Sequence, residues 1–212
     1  MNKEIYQEIK RRILFMEYRP RERLNEKKIA DEFKVSRTPI REVLLRLEWE
    51  RLVNIIPRGG ITVTNIDFEL LRDVYHSRVV IDGGIGRLAA KNITDEQLAR
   101  MKTLADICRN IQGDNGRHKI IDIDIKFREV LFEAAGSPSL RDISNYLYHQ
   151  TLRVWYLTFD KTDLATEVAV EVEEIENTIA VLSRRDPDQA EQFRRQVIVN
   201  YLDRIHKYFS TY

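Results

Sequence analysis

Val35-Ser36-Arg37-Thr38-Pro39-Ile40-Arg41-Glu42-Val43-Leu44 is the stretch on which the fold turns. Ser36 or Thr38 can cap a helix, and Pro39 suits its first turn, where a missing N–H is no loss. Ile40, Val43, Leu44 and Leu47 then recur at helical spacing, and the helix ends near Glu50. Upstream, Asn25 caps a short helix through Phe33 that buries Ile29, Ala30 and Phe33, with Lys34-Val35 as a tight turn. Before that, Ile5, Ile9, Ile13 and Leu14 stripe a first helix, broken by Arg19-Pro20-Arg21. Downstream, residues 52–56 and 61–64 read as two short strands joined by Pro57-Arg58-Gly59-Gly60. Helix, helix, turn, helix and a two-stranded hairpin make a winged helix-turn-helix in outline.

From Asp67 onward the pattern is helical throughout, with helices expected at 67–91, 94–112, 119–135, 138–160, 164–184 and 187–209. Thr94 with Gln97, and Asp186 with Gln189, have capping-box spacing, and Ser137-Pro138 is a further start signal. Gly83, Gly84 and Gly86 fall inside the first of these helices, at a cost of about 1 kcal/mol each relative to Ala. They mark a kink, close helix packing or a mobile stretch. The expected fold class is mainly α. Residues 1–66 form the DNA-binding winged helix-turn-helix and 67–212 an all-α antiparallel bundle for effector binding and dimerisation.

Charge supports two modules. Residues 1–66 carry 15 Lys+Arg against 10 Asp+Glu, and 67–212 carry 20 against 24, so the net +1 hides a basic head on an acidic body. A basic head suits a polyanion. The single cysteine, Cys108, excludes a disulfide scaffold and a Cys-based zinc finger and reads as a packing residue. The N-terminus lacks a signal-peptide core, and no apolar run approaches the roughly 18 residues of a membrane span. A cytoplasmic protein with no membrane partner is expected.

Arg37, Thr38 and Arg41 lie in or near the first turn of the third helix, the part of a recognition helix that reaches base edges. Arginine can bind guanine O6 and N7 bidentately, and helix N-termini hold phosphates. The alternative is that both arginines pair with nearby acids such as Glu42 or Glu48. Trp155, Tyr156 and Phe159 fit a core stripe, Tyr148 and His149 suit the bundle interior or surface, and Glu171, Glu173, Glu174 and Glu176 read as a solvated helix face. No nucleotide-binding or hydrolase fingerprint is present, so an enzyme is not expected.

These residues resemble the GntR superfamily of bacterial transcription regulators, in the FadR branch with a C-terminal FCD ligand-binding domain. The resemblance rests on Arg23-Leu24-Asn25-Glu26, Ile29-Ala30-Asp31, Ser36 to Leu44, Leu47-Glu48, Leu52-Val53 and Pro57-Arg58-Gly59-Gly60. In the second half it rests on Arg78 with Asp82, Leu88-Ala89-Ala90, and Asp124 with Phe127. It implies a homodimer on a pseudo-palindromic double-stranded DNA operator. Arg37 and Arg41 would contact bases, Ser36 and Thr38 phosphate or base, Lys27 the backbone, and Arg58 and Gly59 the minor groove. Where the family has glycine after the first-loop proline and before the wing, this chain has Arg21 and Arg51, read as local turn changes.

Many FCD domains hold a divalent metal through one Asp and three His. Asp124 keeps the Asp, but Arg128 stands at the first His position, and Ile175 and Val197 are aligned with the others. The four histidines, His76, His118, His149 and His206, lie elsewhere, so no metal cofactor is expected. Asp124 and Arg128 are spaced for an ion pair, with the guanidinium in the metal's place. Arg78, Asp124, Arg128, Ile175 and Val197 then form the expected site for a small organic-acid effector. The competing expectation is an effector-independent, architectural DNA-binding protein whose bundle only dimerises.

Overall fold

The computed structural model describes residues 2–209. Helix α1 (Asn2–Leu14) is followed by strand β1 (Arg23–Leu24), α2 (Glu26–Phe33) and α3 (Arg37–Trp49), then β2 (Val53–Ile56) and β3 (Gly60–Val63). Asn25 caps α2, its side chain accepting from the Lys27 and Lys28 amides at 2.9 and 3.1 Å. Lys34 ends α2 in the left-handed region, setting the turn into α3. Ile40, Val43, Leu44 and Leu47 of α3 are all buried, as their spacing requires. Phe33 is only half-buried. Ser36 precedes α3 with extended backbone and makes no side-chain cap bond.

The wing is a three-stranded antiparallel sheet in the order β1-β3-β2. Arg23 pairs with Thr62, Leu24 with Ile61, and Val53 with Val63. The two-stranded expectation therefore lacked β1, which is too short to show an alternating pattern. Arg21 and Arg51 stand at φ 67° and 56°. Both stand in the left-handed region that favours glycine.

The helical half comprises α4 (Phe68–Asn92), α5 (Asp95–Arg109), α6 (Gly116–Ala135), α7 (Pro138–Thr158), α8 (Leu164–Leu182) and α9 (Pro187–Phe209). The Thr94–Gln97 capping box is present, and Asp186 accepts from the Asp188 and Gln189 amides. The core is continuous from α1 into the bundle. There Phe15 stacks on His118 with ring centroids 4.7 Å apart, and Tyr156 meets both edge-on.

Two of the three α4 glycines, Gly83 and Gly86, serve close packing on α9. A Cβ on Gly86 would meet the Ala190 carbonyl at 2.8 Å and Arg194 Cγ at 2.6 Å, whereas one on Gly84 would meet nothing within 4 Å. Gly84→Ala should therefore raise stability by about 0.5–1 kcal/mol through helix propensity, while Gly86→Ala should lower it. Urea unfolding of the two variants checks the opposite signs.

Candidate nucleic-acid interface and buried polar cavity

Arg37 and Thr38 open α3 and Arg41 follows one turn later; all three are exposed. Lys27 is exposed in the first turn of α2, and Arg58 is exposed at the wing turn with φ 61°. Ser36 is exposed and Gly59 half-buried. A Cβ on Gly59 would collide with Ile56 at 2.6 Å, and the Gly59 carbonyl accepts from Arg23 at 3.1 Å, which braces the wing.

Among the described residues, none of Lys27, Arg37, Arg41 and Arg58 has an acid within ion-pair distance. The acids nearest in sequence are engaged elsewhere. Glu42 accepts from Asn2 at 3.1 Å, and Glu48 accepts from the Ile55 amide at 2.8 Å. By contrast, the α1 arginines are neutralised: Arg11 pairs with Glu8 and Glu17, and Arg12 with Glu8 and Glu32. The head thus leaves cations uncompensated on α3, the start of α2 and the wing.

The second cluster lies inside the bundle. Arg78 and Asp82 of α4, Asp124 and Arg128 of α6, Ser144, Tyr148 and Thr151 of α7, and Glu174 of α8 are all buried. Asp82 is the hub. Its Oδ2 lies 3.2 Å from Arg78 Nη2 and 3.7 Å from Arg128 Nη1, and its Oδ1 accepts from the Ser144 hydroxyl at 2.7 Å. Arg128 also donates to Ser144 at 2.6 Å and stacks over the Tyr148 ring at 4.4 Å. Arg78 donates to Thr151 at 2.7 Å. Burial would raise the Asp82 carboxyl, but the guanidiniums of Arg128 and Arg78 outweigh it and hold it below the usual carboxylate range.

Arg128 therefore pairs with Asp82 and not with Asp124, contrary to the i,i+4 expectation. Asp124 Oδ2 has no hydrogen-bond partner among the described residues, and burial followed by the nearby Glu174 charge raises its pKa. Arg78 Nε, Arg128 Nε and the Tyr148 hydroxyl are unpartnered in the same sense. These groups surround a cavity of about 20 Å³, lined by Arg78, Asp124, Arg128, Tyr148, Glu174 and Tyr201 among others. That volume holds about one water.

Ile175 and Val197 do not line this cavity; Ile175 packs in the main core and Val197 in a smaller apolar cluster. Glu174, one residue before Ile175, and Tyr201, four after Val197, face it instead. Glu174 accepts from Arg194 at 2.7 Å and from Tyr201 at 2.7 Å. The expectation that Glu171 and Glu174 belong to a solvated face is also corrected: both are buried, while Glu173 and Glu176 are exposed. Glu167, Glu171, Glu174 and Thr178 make a buried polar stripe at helical spacing, a signal present in the sequence.

The donor set does not suit a divalent metal. No histidine lines the cavity, and Asp124 shares it with the guanidiniums of Arg78 and Arg128. Among the described residues, no group of three or more His, Cys, Asp and Glu is arranged to hold an ion.

A family model described as bacterial regulatory proteins, gntR family, matches residues 1–63, and an FCD domain model matches 73–200. The HTH-type transcriptional repressor RspR of Escherichia coli strain K12 is 26% identical over 196 residues, covering 92% of this chain and 85% of RspR. YdhC of Bacillus subtilis strain 168, an uncharacterized HTH-type transcriptional regulator, is 28% identical over 147 residues, covering 69% of this chain and 64% of YdhC. Among solved structures, Escherichia coli McbR/YncC matches with a TM-score of 0.84 at 18% identity, covering 98% of both chains. At that identity the likeness concerns the fold.

Proposed function

Because the chain belongs to the GntR family of bacterial regulatory proteins and carries an FCD domain, it is a transcription regulator and not an enzyme, and we propose that it binds a pseudo-palindromic operator as a homodimer. Residues 1–66 would be the DNA-binding head and 67–212 the effector-binding and dimerisation body, acting in the cytoplasm. Among the described residues no helix is long and apolar enough to cross a membrane.

The observation that carries this reading is the set of exposed, acid-free cations Arg37, Arg41, Lys27 and Arg58 on the head. Arg37 and Arg41 would read bases in the major groove. Ser36, Thr38 and the uncapped amides of α3 would meet phosphate, Lys27 the backbone, and Arg58 and Gly59 the minor groove. Arg41→Ala should cost about 1–3 kcal/mol at the specific operator, roughly a 5- to 150-fold loss, while non-specific binding falls far less. Titration of selected operator DNA at fixed salt measures this. Equal affinities of variant and parent would remove Arg41 from the interface.

In the body, the cavity beside Arg78, Asp124 and Arg128 would take the carboxylate of a small organic acid. Arg78 and Arg128 would offer their free Nε–H groups. At about 20 Å³ the cavity admits such a group only if Tyr148 or its helix α7 moves, so binding and α7 displacement would be one event. The same small volume, with Asp82 already compensating both arginines, favours a second reading: a bundle that dimerises and binds no effector. Operator affinity measured across a panel of small acids separates them, because the second reading requires no change with any acid.

No resident metal is proposed, since Arg128, Ile175 and Val197 stand at the aligned histidine positions and no histidine lines the cavity. Elemental analysis of the purified protein should return well under one equivalent of zinc, nickel or manganese. One full equivalent would overturn this.

A further inference from the structure

Arg153 of α7 stands apart from the other buried arginines. Arg78 and Arg128 share Asp82, and Arg194 has Glu174. Arg153 is only 4% exposed, yet among the described residues no carboxylate lies within ion-pair distance of it. Its two terminal nitrogens donate to uncharged oxygens of Thr64, Nη1 to the hydroxyl at 2.8 Å and Nη2 to the carbonyl at 2.6 Å. Its Nε has no partner. Burial alone pulls its pKa down to about 10, with no acid to offset it. A buried charge without a counter-charge is costly, and buried charges are as a rule paired.

This side chain lines a groove of about 320 Å³ between the head and the bundle. The head contributes Arg51, Leu52 and Asn54, the connecting segment Asn65 and Asp67, and the bundle Leu70, Leu71, Val74 and Gln150. The two acids on its rim are already committed. Glu48 accepts from the Ile55 amide, and Asp67 caps α4 by accepting from the Glu69 and Leu70 amides. Arg51 is exposed, and its carbonyl accepts from the Thr64 hydroxyl at 2.9 Å, so it adjoins the residue that anchors Arg153.

We propose that this groove is a binding site for a small organic monoanion with an apolar body, its carboxylate beside the Arg153 guanidinium and Arg51 and its body against Leu70, Leu71 and Val74. Arg153 is the buried cation of the groove and has no carboxylate at ion-pair distance among the described residues, and the aliphatic side chains of α4 beside it suit an apolar body. The size matches an aromatic acid or a medium-chain fatty acid. The site is separate from the bundle cavity. Its occupant touches both head and bundle, and so fixes their relative orientation and the operator affinity that depends on it.

The test uses the full-length protein with 4-fluorobenzoate as probe and hexanoate and inorganic phosphate as competitors. Fluorine NMR should show saturable binding that hexanoate reverses and phosphate does not. The side-chain amide signals of Asn54, Asn65 and Gln150 should shift on titration, since these residues line the groove and not the cavity. Arg153→Met should weaken binding at least tenfold while remaining folded, because it removes an unpaired buried charge. Arg51→Ala, an exposed position, should weaken it about three- to tenfold. Arg100→Ala, a surface control, should leave it unchanged. The proposal is overturned if the parent does not bind the probe or Arg153→Met retains affinity. It is equally overturned if phosphate competes as well as hexanoate, or if the side-chain amide signals of Asn54, Asn65 and Gln150 stay fixed on titration.

Discussion

Asp82→Asn is expected to lower the unfolding free energy by about 3–5 kcal/mol, or Tm by roughly 6–20 °C for a domain of this size. Asn preserves the volume and can keep the Ser144 contact, so the change isolates the charge. Without it, Arg78 and Arg128, at 5% and 4% exposure, are both left without a paired carboxylate. Asp124→Asn is the matched comparison. Its carboxyl is held above the usual range by burial and by Glu174 and has no cation at ion-pair distance among the described residues, so the substitution should cost less than about 1 kcal/mol. The pH dependence carries opposite signs. Asp82 has a depressed folded pKa, so the stability it contributes is present above the ordinary carboxylate range and is lost as pH falls toward the depressed value. The gap between parent and Asp82→Asn should therefore narrow in acid. Equal losses for Asp82→Asn and Asp124→Asn in urea unfolding at neutral pH would refute Asp82 as the hub.

Local order was well written in the chain. The α3 stripe Ile40, Val43, Leu44 and Leu47, the Asn25 cap and the Thr94–Gln97 box all form as their spacing demands. What escaped was non-local. Strand β1 is two residues long and exists because β3 offers an edge, so no period in residues 23–24 could announce it. Arg128 lies four residues from Asp124, but its carboxylate is Asp82, 46 positions earlier on α4; a helix spacing permits a pair without selecting it. The acidic run of α8 was misread for a different reason. Counting glutamates hides their phase, and Glu167, Glu171 and Glu174 fall on the buried side of the helix, with Glu173 and Glu176 outside.

The bundle and the head are joined through one element. Helix α7 presents Ser144, Tyr148 and Thr151 to the buried arginines and Arg153 to Thr64 at the end of the wing sheet. A shift of α7 that repacks Tyr148 must also move the guanidinium holding Thr64. Because Thr64 directly follows β3, that movement reaches the wing that carries Arg58. Contacts along one helix thus give a physical route between the bundle interior and the wing sheet.

Glu171→Leu should stabilise the protein, and more strongly as pH rises. Glu171 is 1% exposed, and neither carboxylate oxygen has a partner among the described residues. Burial, with Asp124 and Glu174 nearby, pushes its pKa well above the usual carboxylate range, and the thiol of Cys108 is itself raised to about 12 by burial and by Glu171. The folded state therefore holds a proton that the unfolded chain, with an ordinary pKa of about 4.3, has released. Stability must fall as pH rises from that value toward the raised one. Leucine has similar volume, no charge and no polar atom, so the variant should gain about 1–3 kcal/mol at neutral pH, shrinking in acid to the smaller cost of an unpartnered neutral carboxyl. Thermal unfolding between pH 5 and 8 reads both the gain and its slope. A loss of stability, or a gain independent of pH, would mean that Glu171 is compensated in the folded protein. A group that costs stability without contributing a contact is the kind retained for function, so the operator response of Glu171→Leu to small acids completes the measurement.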